Sequence, residues 1–146
     1  MIVEDLPRHA CIELLARTRL GRLACAQNQQ PYVTPFFFAY RLEALYSFSR
    51  LGQKIAWMRS NPLVCVEVDE IETPHSWSSV IVSGHYEELP PTPEGEPERK
   101  LAYSLLQERP VWWEPGYAKT ASREGPLELV YFRVHATHIS GRTARP

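Results

Sequence analysis

From Tyr46 to Lys54 the chain reads Tyr-Ser-Phe-Ser-Arg-Leu-Gly-Gln-Lys. That is a β-prone run, a turn at a glycine, and a lysine in the first turn of the helix that follows. The arrangement suits a phosphate. Helix N-terminal amides and the helix dipole favour an anion, the hydroxyls of Ser47 and Ser49 can donate, and Lys54 adds a full charge. On its own, a Gly-x-Lys after a strand is also the ordinary solvated start of a helix, so the segment leaves both readings open. No Gly-x-x-x-x-Gly-Lys-Ser/Thr and no Gly-x-Gly-x-x-Gly occurs, which removes support for a P-loop or a dinucleotide fold. No Gly-x-Ser-x-Gly elbow and no close Ser, His and Asp set points to covalent hydrolysis, and no catalytic residue is assigned.

Metal chemistry finds no framework either. Cys11, Cys25 and Cys65 are an odd count among apolar neighbours, with no Cys-x-x-Cys pair, and read as free thiols in or near a core. His135 and His138 stand at an odd offset, which in a regular strand sends them to opposite faces.

The elements that must position the Tyr46–Lys54 segment follow from periodicity. Asp5 to Arg17 predicts a short amphipathic helix, with Asp5 as N-cap, Pro7 in the first turn, and Ala10, Cys11, Leu14 and Leu15 at helical spacing. It would pack over the end of a barrel. Gly21–Ala26, Pro31–Tyr40 and Leu45–Ser49 are β-prone, separated by the polar turns 28–30 and 41–44, so an antiparallel meander is expected. Gly52–Asn61 predicts a helix stopped by Asn61-Pro62. Val64, Val66 and Val68 then alternate against Cys65 and Glu67, and a further strand spans Ser78–Leu89. Four prolines between Pro90 and Pro97 make a loop or the approach to a helix over Glu98–Arg109. Val111–Pro126, with Trp112, Trp113 and Tyr117, predicts a long irregular segment. Leu127–Ala136 alternates as the last strand. About six antiparallel strands and three helices favour a small barrel that removes its edges by closing on itself.

The 146 residues bound a single domain, residues 1–146, with one core. A net charge of -1 with no stripe of Lys and Arg gives no attraction for nucleic acid. The longest apolar stretch, Phe36 to Tyr40, is too short to span a bilayer, and Glu4 and Asp5 stand where a leader would be basic. A cytoplasmic location away from membranes is expected.

In combination the motifs are more specific. Leu20-Gly21-Arg22-Leu23-Ala24, Gln30 to Pro35, Leu45 to Ser49, Gly52-Gln53-Lys54, Asn61 to Cys65, Trp77 to Gly84 and Ile139-Ser140-Gly141-Arg142 follow one another in an order that resembles the pyridoxamine 5'-phosphate oxidase-like flavoproteins, most nearly the branch related to nitroimidazole-resistance proteins. The resemblance implies a mainly β fold, a six-stranded antiparallel split β-barrel with short flanking helices, forming a homodimer with FMN in clefts at the subunit interface. It places Lys54 at the FMN phosphate with Gln53 beside it. It lays Ser47, Phe48 and Ser49 along the phosphate and ribityl chain. Thr34, Pro35 and Phe36 would border the isoalloxazine ring with their backbone, and Ser79 would meet its pyrimidine edge.

Three departures narrow what it implies. The oxidases carry arginines where this chain has Gln53 and Thr34, so fewer charges hold the phosphate. The branch's histidine near the end of the third strand is replaced by Phe48-Ser49, which argues against nitroimidazole chemistry. The oxidases' C-terminal substrate segment has no counterpart, which argues against vitamin B6 oxidation. The expectation is an FMN-dependent oxidoreductase with a small-molecule substrate or electron donor. The alternatives are a flavin-binding module without turnover, and haem on the same fold with His135 or His138 as axial ligand. Trp112 and Trp113 would roof the flavin, line a substrate cleft, close a barrel mouth or fill the dimer interface. Arg22 reads as a solvated strand residue, and Arg142 equally as a solvated residue or as a partner for phosphate or for acids across an interface.

Overall fold

The structure is a computed structural model that describes residues 1–108 and 128–146; the expected irregular segment with Trp112, Trp113 and Tyr117 lies outside the described residues. Two turns set the first hairpins. Asn28 and Gln29 have φ of 51° and 67°, and Leu42 and Glu43 have φ of 48° and 63°, the pair of left-handed residues that a two-residue type I′ connection requires. They join β2 (Leu20–Gln27) to β3 (Gln30–Phe37) and β4 (Ala39–Arg41) to β5 (Ala44–Arg50). β6 (Leu63–Thr73) and β7 (Ser76–Leu89) make a third hairpin, and β8 (Leu129–Arg145) pairs with both β7 and β5. The order is β3-β2-β6-β7-β8-β5-β4, every ladder antiparallel, with β1 (Ile2–Asp5) added to β8.

β3 and β4 stand at opposite ends of that order, yet only Phe38 separates them in sequence. Residues 30–41 are therefore one run whose first part pairs with β2 and whose last part pairs with β5, and the sheet closes through it. Phe38 N donates to Arg19 O at 2.9 Å where the run changes partners. Counted once, this run gives the six barrel strands expected from the sequence.

Three expectations are corrected. Asp5 is not a helix cap: it pairs with Arg142 in β1, and α1 (Arg8–Arg17) has Pro7 at its N-cap. Leu6 N donates to Gly141 O, which keeps the chain on the sheet until just before the helix and leaves Asp5 too far upstream to cap it. β8 continues nine residues past Ala136. Gly84 pairs with Ala136 but Ser83 with His138, so Thr137 is an extra residue, a β-bulge. The bulge resets the alternation: Val134 and Ile139 both face the core, and His135 and His138 both face outward rather than to opposite sides. A Cβ at position 84 would sit 2.1 Å from His135 O, so glycine is what lets β7 approach the bulged strand.

Phe36 fills the barrel centre, stacked on Phe38 and Phe132 with centroids 5.4 and 6.0 Å away; burying a side chain of this size contributes about 2–3 kcal/mol. α1 covers the core with Cys11, Leu14 and Leu15, and α2 (Gln53–Ser60) with Ile55 and Met58. Cys11, Cys25 and Cys65 are free thiols, the first two buried. α3 (Glu96–Gln107) lies on the outside of β5, where Ala102 and Leu106 meet Ala44, Tyr46, Leu89 and Phe48. α3 starts two residues before the expected Glu98 because Pro97 fits a first helical turn. Residues 44–49 of β5 are consequently buried on both faces. Among the described residues no helix is long and apolar enough to cross a membrane.

Candidate functional site: the split between two strand edges

The hairpin register decides which backbone groups are used. Gln27 and Gln30 flank a two-residue turn and exchange both hydrogen bonds, so Cys25/Tyr32, Leu23/Thr34 and Gly21/Phe36 do the same. Pro31, Val33 and Pro35 then turn their backbone groups to the other edge of β3, where a proline's missing N–H breaks no ladder. Among the described residues no strand pairs with that edge. β5 has the complementary gap. Its residues 44–46 pair with β4, but Ser47 to Arg50 pair with β8 alone. The two free edges open from one point, where Ser47 Oγ donates to Phe37 O at 2.6 Å.

α2 starts just beyond the free edge of β5 and lies against β2 and β3. Asn61 Nδ2 donates to Ala26 O, and the Trp57 ring meets Tyr32 edge-on at 5.6 Å. Its first helical hydrogen bond runs from Ala56 N to Gly52 O, so the amides of Gln53, Lys54 and Ile55 precede any intrahelical partner. No side chain caps this end, no acid stands in the first turn, and Lys54 is there instead. Against the helix dipole that is the unfavourable sign, unless an anion is held at the same place. The Lys54 charge also reaches Cys25, where it opposes the larger effect of burial, which pushes the thiol up.

Most of the residues expected at the site gather around this split, though more through backbone than side chain. Thr34 is partly buried opposite Leu23, Pro35 borders the free edge, and Phe36 is committed to the aromatic stack. Ser47 and Ser49 are inward and buried, and donate to Phe37 O and to Arg50 O (3.1 Å) rather than into the open. Phe48 points the other way, under α3 against Leu106 and Tyr131. Gln53 is exposed and Lys54 half-buried at the helix start.

Ser79 does not join them. It pairs with Arg142, whereas Ser47 pairs with Phe132. Ten residue steps along β8, roughly 33 Å of strand path, separate the two registers. Ser79 instead lines a cleft of about 330 Å³ on the outer sheet face with Asp5, Trp77, Ile81, Ser140 and Arg142. Sequence spacing gave no signal for Trp77 here, because its neighbourhood is assembled across β7, β8 and β1. On the same face Glu67 lies opposite Arg22 and beside Asp69. Burial and then the Asp69 carboxyl push Glu67 up from the ordinary 4.5 to about 7. His135 and His138 are outward too, with His135 Nε2 on Glu87 Oε2, so neither faces the split.

Comparison with known proteins places this architecture. A pyridoxamine 5'-phosphate oxidase family model matches residues 7–143. The chain is 42% identical over 146 residues to an uncharacterized protein of Rhizobium meliloti (strain 1021), covering 99% of this chain and 97% of the relative. It is 43% identical to a solved FAD-binding protein of Mesorhizobium loti, over 99% of each chain with a TM-score of 0.82. A structure from Bacteroides thetaiotaomicron, of a protein provisionally assigned to 5-nitroimidazole antibiotic resistance, shares the fold at 18% identity, covering 98% of this chain and 89% of that one with a TM-score of 0.69. A family match over nearly the whole chain, with relatives above 40% identity at full coverage, makes this protein a member of the pyridoxamine 5'-phosphate oxidase family.

Proposed function

We propose that this protein binds FMN at the split and acts as a flavin-dependent oxidoreductase on a small molecule, as a homodimer in the cytoplasm. The observation that carries the reading is the first turn of α2, with Lys54 in it and no side-chain cap, set beside two strand edges that no strand completes among the described residues. Those groups fit a phosphate with an extended, hydrogen-bonding body. Lys54 and the α2 amides would hold the phosphate, and the free edge of β3 would border the ring. The bound flavin supplies the electron chemistry. The chain's own residues bind and orient, which agrees with the absence of an assigned acid or base.

The homodimer rests on two observations. Ser79, the residue expected at the ring, lies on the outer sheet face with Trp77 and Ile81 and away from the split, so a flavin at the split meets Ser79 only if a second copy supplies it. The outer face that carries Ser79 also exposes Val33 (65%), Leu63 (61%) and Ile81 (48%). It is hollowed by a groove of about 420 Å³ lined by small residues such as Ala24, Ala26, Ser83 and Gly84. An apolar, concave face of this kind marks an association surface.

A second reading, FAD in place of FMN, is favoured by the name of the Mesorhizobium loti relative. The deciding experiment is the visible absorption spectrum of purified protein after loading with FMN or FAD and desalting, with Lys54→Ala alongside. Retention of one flavin, weakened in Lys54→Ala, supports the site and names the cofactor, and retention of neither sinks it. NAD(P)H oxidation by the loaded protein with an added acceptor tests turnover, and light scattering tests the dimer.

A further inference from the structure

The phosphate role given to α2 depends on how that helix is held. Eight residues are too few for a helix to persist alone, and a first-turn lysine opposes its dipole. Beyond the burial of Ile55 and Met58 and the Trp57–Tyr32 contact, the helix is tied at its far end. Arg59 Nε and Nη2 donate to the two oxygens of Glu88 at 2.8 and 3.1 Å. Tyr86 Oη donates to the same carboxylate at 2.7 Å, and Tyr86 N to Pro62 O at 2.8 Å. Asn61 Nδ2 adds its bond to Ala26 O at 3.1 Å. The Arg59 guanidinium holds the Glu88 carboxyl below the ordinary carboxylate range, so the fork is ionic at neutral pH. Arg59 lies five positions beyond Lys54, roughly 7.5 Å along the axis. It therefore acts on the first turn through the helix rather than by contact.

We propose that Arg59, Glu88 and Tyr86 form a positioning clamp that aims the first turn of α2 and thereby sets affinity for the phosphate of the ligand without touching it. This rests on α2 being the phosphate site. The clamp is half-exposed, with side-chain exposures of 47% for Arg59 and 30% for Glu88, and ion pairs at such positions add little to global stability. Its loss therefore falls on the geometry of the helix start. A clamp of this kind has a signature that general weakening lacks: it discriminates FMN from riboflavin, which has the same ring and no phosphate.

The test is fluorescence titration of riboflavin and of FMN into wild type, Arg59→Met, Arg59→Lys, Glu88→Gln and Lys54→Ala, with thermal melts of each apo protein. Arg59→Met is expected to weaken FMN binding about fivefold, at the low end of coupling between separated groups. Riboflavin binding and the melt should stay as in wild type, with Arg59→Lys recovering part of the loss. Glu88→Gln, which keeps the carbon skeleton, should move in the same direction and serves if Arg59→Met does not fold. Equal weakening of both ligands, or of neither, while Lys54→Ala still weakens FMN, would overturn the clamp alone. No effect of Lys54→Ala on FMN would overturn the phosphate site and the clamp with it.

Discussion

α3 opens on Gly95 with Glu96, Pro97 and Glu98 in its first turn; α2 opens on Gly52 with Gln53 and Lys54. Both helices pack against the same barrel, but their starts are completed differently. Acids at the first end complement the dipole, and Glu98 continues into a network. Arg133 Nη1 donates to Glu98 at 2.8 Å, its other nitrogens hold Glu87, and its guanidinium lies 5.9 Å from the Tyr46 ring centroid. That end is finished by the chain itself. Neither start has a side-chain cap, but at α2 the charge has the opposite sign, and the ion pair sits at the far end on Arg59. The difference separates a helix start whose dipole is complemented by the helix's own acids from one that opens on a cation.

Four experiments sharpen or break that contrast. Arg133→Met should be the most damaging to stability. It leaves Glu87 and Glu98 without their cation, and a loss of about 2 kcal/mol is expected in urea unfolding, below the range for fully buried pairs because both acids keep water contact. FMN affinity should be unaffected. Lys54→Ala should show the reverse: about a tenfold loss of FMN affinity, near 1.4 kcal/mol, with an apo melting point unchanged or slightly raised. If both variants lost stability and affinity together, the two helix starts would not be separable. Glu98→Gln should cost about 0.5 kcal/mol of stability through the dipole and the exposed side of its ion pair.

The smallest effect concerns pH. Glu67 titrates near 7 in the folded chain against an ordinary 4.5, so between those values the folded chain keeps a proton the unfolded chain has released. Its contribution to stability therefore falls as pH rises from about 4.5 to about 7. Glu87 and Glu88 act the other way, held below 4.5 by Arg133 and Arg59, and their contribution is lost only as pH falls through their lowered values. Glu67→Gln should flatten melting temperature against pH between 4.5 and 7 and leave the acid limb as it is.

Local pattern carried much of this in the sequence. The alternation of Val64, Val66 and Val68 and the Asn61-Pro62 stop both lie where expected. So does the placing of Lys54 in a first helical turn. What escaped depends on distant partners. Nothing in the run 30–41 announces that it changes partners at Phe38, because the change is made by β2 on one side and β5 on the other. The Thr137 bulge is visible only in the pairing with Ser83 and Gly84. At the site, residue types were readable but side-chain destinations were not. Alternation on β5 sends Ser47 and Ser49 inward to backbone carbonyls and Phe48 outward under α3, and Ser79 is stranded on another face. Arg59 and Glu88 lie 29 residues apart and meet only in the folded chain.

β8 is the last of the described strands, and β1, β5 and β7 all pair with it. During synthesis those three strands emerge well before the segment they are to join, so the nascent chain carries open strand edges until residues 129–145 leave the ribosome. Pairings as distant as Ala44 with His135 and Ile2 with Arg145 give the fold a high contact order, and such β topologies fold in milliseconds to seconds rather than microseconds. Strand edges left open that long are exposed to mispairing, so yield in the cell is expected to respond to chaperone supply as well as to the stability of the finished barrel.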